Sequence, residues 1–150
     1  MAAGITITGL EQVQRRLREA PSLLVAKAMH TALDRGIGVI AAEVEALTPE
    51  DTGDLKEHVI TRVEIDVQNR GGSAAVGFAS TPHERTGRAS DAVALWVEMG
   101  HRMVSHDGKE IGHVPPHPFM RTAFTVAADR AIEVFAETLI EGLSVIGEGE

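Results

Sequence analysis

Residues 22–47 read SLLVAKAMHTALDRGIGVIAAEVEAL, and the phase of the apolar residues in this stretch decides the fold class. Ala26, Met29, Leu33, Ile37, Ile40, Val44 and Leu47 follow one another at intervals of three or four, which lays one continuous apolar face along a long helix. Such a face needs other elements to cover it. Gly36 and Gly38 lie inside the helix, where each costs about 1 kcal/mol relative to alanine. Close approach of a neighbouring backbone and simple tolerance of that cost both accommodate them. Thr48-Pro49 ends the helix, because proline disfavours helical conformation in the residue before it.

Upstream, Pro21 separates this helix from a shorter one over Leu10–Ala20, with Leu10, Val13 and Leu17 at helical spacing, and Ile5 to Thr8 alternate as a short strand. Downstream, Asp51-Thr52-Gly53-Asp54 is turn chemistry, in which Asp51 can accept backbone N–H bonds and Gly53 can take a positive φ. Val59, Thr61, Val63, Ile65 and Val67 then alternate with Arg62, Glu64 and Asp66 as a half-buried strand. Asn69-Arg70-Gly71-Gly72 turns the chain into a second strand carrying Ala74, Val76 and Phe78.

Residues 80–91, STPHERTGRASD, hold almost nothing apolar and form a surface loop. Asp91 can cap a short helix over Ala92–Met99 that Gly100 ends. Arg102–Ser105 and Glu110–Val114 flank His106-Asp107-Gly108-Lys109, whose Asp-Gly pair suits a hairpin turn. A last helix begins near Pro118 and carries Met120, Phe124, Ala127, Ala131, Phe135, Leu139 and Leu143 on one face. Residues 1–146 thus read as a single α+β domain with 147–150 a frayed tail. Its expected architecture is two long amphipathic helices packed on a small antiparallel sheet of three to five strands, with a short N-terminal strand and helix.

Composition narrows the function. The 150 residues carry a formal charge of −8 and only 3% aromatic residues. Such a chain repels phosphate backbones and offers few stacking platforms, which argues against sequence-specific nucleic-acid binding. With no cysteine there is no thiol nucleophile and no disulfide framework, and intracellular synthesis is the simplest expectation. The opening MAAGITITGLEQV lacks a basic segment followed by an apolar one, so no signal peptide is expected, and no run reaches the length of a membrane span.

Four histidines, His101, His106, His113 and His117, crowd one glycine- and proline-studded stretch and raise the possibility of a metal-dependent hydrolase. Their spacings of five, seven and four fit no helical or finger pattern of zinc ligands, and Val114-Pro115-Pro116 keeps His113 and His117 off a common helical face. No metal or cofactor is therefore expected. Asp51 and Asp54 as an acid/base pair compete with the commoner use of aspartate in turns. No Gly-x-Ser-x-Gly elbow or phosphate loop exists, so no catalytic residue is assigned. Trp96 reads as a core or interface anchor, and Glu98 as either a solvated helix residue or a charge partner across an interface.

Three segments, taken in order, resemble one family. They are Pro49-Glu50-Asp51-Thr52-Gly53-Asp54-Leu55 after the long helix, Trp96-Val97-Glu98-Met99-Gly100, and Pro115-Pro116-His117-Pro118-Phe119-Met120-Arg121 with Ala123. In this order they resemble the neck or tail-completion proteins of long-tailed bacteriophages, tail components that connect head to tail. The resemblance spans nearly the whole chain from Ile7-Thr8-Gly9-Leu10. It departs from the family pattern at His101 and His117, in a longer 80–91 loop, and in a less basic Lys56-Glu57-His58.

The resemblance implies a virion structural protein and not an enzyme, made in the host bacterial cytoplasm. Such a protein forms a homo-oligomeric ring at the head–tail junction, against other connector and tail-tube proteins. Genome DNA would pass nearby without sequence-specific binding, and no membrane is involved. A tail terminator or head-closure ring of the same connector is the alternative. Asp51, Thr52, Gly53, Trp96, Glu98, Gly100, His101, Pro116, His117 and Phe119 are the candidate motif or interface residues.

Overall fold

The face read from residues 22–47 becomes helix α1 (Ser22–Leu47), and it buries two adjacent stripes instead of one. The computed structural model describes residues 22–49, 53–82 and 87–147, together with Glu11, Gln14, Arg15 and Arg18, all four helical. The strand expected at Ile5–Thr8, the remainder of the Leu10–Ala20 helix, the motif residues Asp51 and Thr52, and residues 148–150 lie outside the described residues.

One stripe of α1 meets the last helix, α4 (Phe119–Gly147). Gly36 lies against Ala131 and Phe135 while Ala28 lies against Gly142, so the two helices run antiparallel. Val25, Ala28 and Ala32 pack with Leu139 and Leu143 at one end, and Ile37, Ile40 and Val44 with Phe119, Ala123, Ala127 and Ala131 at the other. The second stripe of α1 receives a hairpin of β1 (Val59–Asp66) and β2 (Gly71–Phe78), whose Val59, Val63, Ala74, Val76 and Phe78 pack on the same core. Between them a one-turn helix α2 (Gly53–Lys56) opens with Gly53 and Asp54 and drives Leu55 fully into the core.

The β1–β2 turn differs from the expected Asn69–Gly72. Pairing runs to Asp66 opposite Gly71, leaving Val67–Arg70 as the connection and Val67 exposed. The Asp66 carboxylate accepts N–H bonds from Asn69 at 3.1 Å and Gln68 at 3.0 Å, and Arg70 takes a positive φ of 51°. A side chain that organises its own turn thus displaces the glycines into the strand. Bonds from the Asn69 backbone and side chain also hold the Asp66 carboxyl below its ordinary pKa.

After β2 the chain passes through the 80–91 segment into α3 (Ser90–Met99), then β3 (His101–Val104), β4 (Glu110–Val114) and α4. The loop is pinned at its neck. Thr81 accepts both the N–H of Ser90 at 2.8 Å and its hydroxyl at 3.0 Å, Pro82 bridges Ala89, and Ser90 is wholly buried. The helix therefore starts at Ser90, and Asp91 bonds the adjacent Ala92 N–H at 2.8 Å without acting as the cap.

The α+β class stands, but among the described residues the single sheet of three to five strands is replaced by two antiparallel two-stranded sheets, β1–β2 and β3–β4. The cause is α3, which packs beside β2 and carries the chain about 15 Å onward before the second hairpin begins. On α4 the expected face holds at Ala127, Ala131, Leu139 and Leu143, which are buried, and at Met120 and Phe135, which pack against the core; it fails at Phe124, which is exposed while Phe119 and Ala123 are buried.

Contact between α1 and α4 is set by small residues. A Cβ on Gly36 would stand 3.1 Å from the Ala131 carbonyl oxygen and 3.2 Å from the Phe135 Cβ, whereas one on Gly38 would meet nothing within 4 Å. Gly38→Ala should therefore raise stability by about 0.5–1 kcal/mol through helix propensity. Gly36→Val should lower it by about 2 kcal/mol or more through overpacking. Urea unfolding of the two variants checks the contrast; equal effects of the same sign would mean that α4 does not approach at Gly36.

Candidate functional site

Two of the three motif segments meet where α3 ends and α4 begins. Helix α4 follows Pro115-Pro116-His117-Pro118 and has no Ser, Thr, Asp or Asn immediately before Phe119 to cap its first N–H groups. Glu98 from α3 supplies the acceptor. Its Oε2 accepts the N–H of Met120 at 2.9 Å, and its Oε1 accepts the N–H of Arg121 at 3.3 Å and the Arg121 Nε at 3.1 Å. Only 6% of Glu98 is exposed, so this is a buried carboxylate held by the positive end of a helix. Neither earlier reading of Glu98, solvated residue or partner across an interface, describes it.

The Arg121 side chain is 71% exposed, so its ion pair is largely screened by solvent. The two backbone N–H bonds inside the joint carry most of the stabilisation. Next to them, His117 donates its N–H to the Val97 carbonyl at 2.8 Å, and the Arg121 Nη2 lies 3.6 Å from the Met99 sulfur.

Gly100 makes the crossing possible. Its φ of 72° and ψ of 163° belong to a region that only glycine occupies readily. A Cβ there would stand 2.6 Å from the Val114 carbonyl oxygen and 2.8 Å from the Pro116 nitrogen. Pro116 is thus the wall against which Gly100 rests, and Phe119 is buried with its ring edge-on to Phe78 at 5.9 Å.

Trp96 is half-buried on α3. Its ring lies 6.0 Å from the imidazole of His101 and is covered by the Arg88 guanidinium at 5.0 Å, a cation–π arrangement. The His101 Nδ1 is buried without a hydrogen-bond partner among the described residues.

The four histidines are spread along the second hairpin and its exit. His101 opens β3, His106 lies in the turn, His113 pairs with Arg102 across the ladder, and His117 is exposed in the proline segment. Among the described residues no three His, Asp or Glu side chains converge as metal ligands, and no helix is long and apolar enough to cross a membrane. Gly53 and Asp54 lie at the start of α2, away from this joint in the chain.

Sequence reasoning singled out Glu98, Gly100, Pro116 and Phe119 but missed that they form one unit. An uncapped helix start after a proline segment was the available signal, since those orphan N–H groups require an acceptor from elsewhere.

Comparison with protein-family models, curated proteins and solved structures finds no match for this chain.

Removal of the buried acceptor should cost more than removal of its exposed cation. Glu98→Ala should destabilise by about 2–3 kcal/mol, and Arg121→Met by less than about 1 kcal/mol, in equilibrium urea unfolding. A larger effect at Arg121 would place the stabilisation in the ion pair.

Glycine chemistry at the crossing gives a second contrast. Gly100→Ala should lose about 2–4 kcal/mol, because strain and collision act together, whereas Gly108→Ala, with positive φ but open space, should lose about 1 kcal/mol. Equal losses would remove the collision as a cause.

Proposed function

We propose that this chain is a virion structural protein of a long-tailed bacteriophage, forming a ring at the head–tail junction as a neck or tail-completion protein. The observation that carries the reading is the joint between α3 and α4. Trp96–Gly100 and Pro115–Ala123, the segments that bear the resemblance, interlock through Glu98, Gly100 and Pro116. Their residues act as scaffolding, setting the angle between two helices and aiming the hairpin between them. That is the work motif residues do in a protein whose product is a shape.

Two further features support it. The net charge of −8 suits a ring lining a path for DNA, since acidic walls repel a passing phosphate backbone instead of holding it. Exposed large apolar side chains occur on α3, the second hairpin and α4, a distribution that suits a subunit with several neighbours.

The test is location. Antibody raised against the chain should label purified particles of its phage at the head–tail junction in immunogold electron microscopy. Particles assembled without the chain should be heads and tails that fail to join. Absence of the chain from purified infectious particles would overturn the reading.

A further inference from the structure

Helices α1 and α4 leave a groove between them at the end where α1 begins and α4 finishes. Leu24, Ala28 and Thr31 form one wall and Thr138, Gly142 and Val145 the other, around about 410 Å³. Small residues make it. A Cβ on Gly142 would stand 3.0 Å from the Ala28 Cβ, so the two backbones come close there and the surface above them is hollow. Apolar side chains are left wet at its mouth, with Leu24 43% and Val145 71% exposed.

We propose that this groove is the seat of the chain's own residues 10–20, which fold back from Ser22 and lay Leu10, Val13 and Leu17 between α1 and α4. The proposal is independent of the ring reading.

The segment is amphipathic. Glu11, Gln14, Arg15 and Arg18 are helical and exposed, and their spacing puts them on one wet face, along which the Arg18 Nε donates to the Gln14 carbonyl at 3.3 Å. Leu10, Val13 and Leu17 recur in the sequence on another face of the same helical phase. A helix of about 11 residues is marginal alone in water, so that apolar face needs a surface to cover it.

Reach and tethering select this segment over a separate partner. Between Arg18 and Ser22, both helical, lie three residues, within the roughly 2–5 residues that join antiparallel helix pairs. As a helix, residues 10–20 span about 15 Å, and the groove runs about 16 Å along α1 from Leu24 to Arg35. Folding back brings Leu17 nearest Leu24 and Val145, and Leu10 toward Arg35. A segment attached at the mouth of the groove also meets it at an effective concentration on the order of millimolar, which a free partner must outcompete. Charge does not oppose the contact, since Glu11, Arg15 and Arg18 stay on the wet face, clear of Lys27, Arg35 and Glu141 at the rim.

Trypsin cleavage of the full chain after Arg15, Arg16 and Arg18, read by mass spectrometry, tests the seat, because cleavage tracks the population in which the segment is open. Leu17→Asp in the segment and Val145→Asp in the groove, the latter at an exposed position, should each speed it about tenfold or more, with helix content unchanged by circular dichroism. The chain has no cysteine, so Leu17→Cys together with Val145→Cys should close a disulfide within one chain. Leu17→Cys with Val126→Cys, exposed near the other end of α4, should not.

Equal cleavage of the parent and both aspartate variants would overturn the proposal, since the segment would then be undocked or held elsewhere. A disulfide between positions 17 and 145 that forms only between chains would overturn it as well, by making a second copy the occupant.

Discussion

The close antiparallel approach of α1 and α4 is the constraint on which the rest of the molecule depends. With 3% aromatic residues, the chain cannot fill a thick core, so its helices must come close enough for Ala, Val and Gly to make contact. At Gly36 against the Ala131 carbonyl and at Gly142 against Ala28 that approach leaves little room for a side chain. With α4 on one side of α1, the β1–β2 hairpin covers the other side of the core that Ile37, Ile40 and Val44 share with α4, and Leu55 lies within it. Bulk at either glycine would push α4 outward and open the alanine-lined core along much of its length.

A second constraint fixes what lies between those layers. Helix α4 has no cap of its own, and the acceptor it needs arrives from α3 as the Glu98 carboxylate. That bond pair ties together positions 22 and 23 residues apart in the chain, and everything between them becomes an excursion with both ends held. The excursion is the β3–β4 hairpin. Its base is closely packed, with Gly100 against Val114 and Pro116, although its strands lack support from the body. Direction is therefore specified more firmly than the strands themselves are stabilised.

Sequence pattern revealed the elements better than their partners. Helix α1, both hairpins, α3 and the start of α4 follow from periodicity, glycine and proline placement, because those signals are local. So does most of the buried face of α4, at Ala127, Ala131, Leu139 and Leu143, but not its first turns. There the buried residue is Ala123, and alanine is as ordinary on a surface as in a core, so the periodicity follows the larger Phe124, which is exposed. The single expected sheet fails for a similar reason, since strand patterns carry no information about which edges meet. Glu98 was ambiguous because its burial depends on a helix terminus more than 20 residues away.

The two constraints together explain how a small acidic chain can carry unsupported strands. Most of the packing lies in the α1–α4 pair and the layer on α1, and the second hairpin shares little of it. Ordering a marginal element at an interface has an entropy cost, which lowers affinity per unit area and keeps isolated copies apart until neighbours are held in place. A net charge of −8 on every copy acts in the same direction, since long-range repulsion opposes association in free solution. On the ring reading, such a subunit stays dispersed after synthesis and closes when a template presents several copies side by side. The close packing at Gly100 then matters more than strand stability, because it sets the direction in which the hairpin leaves the body.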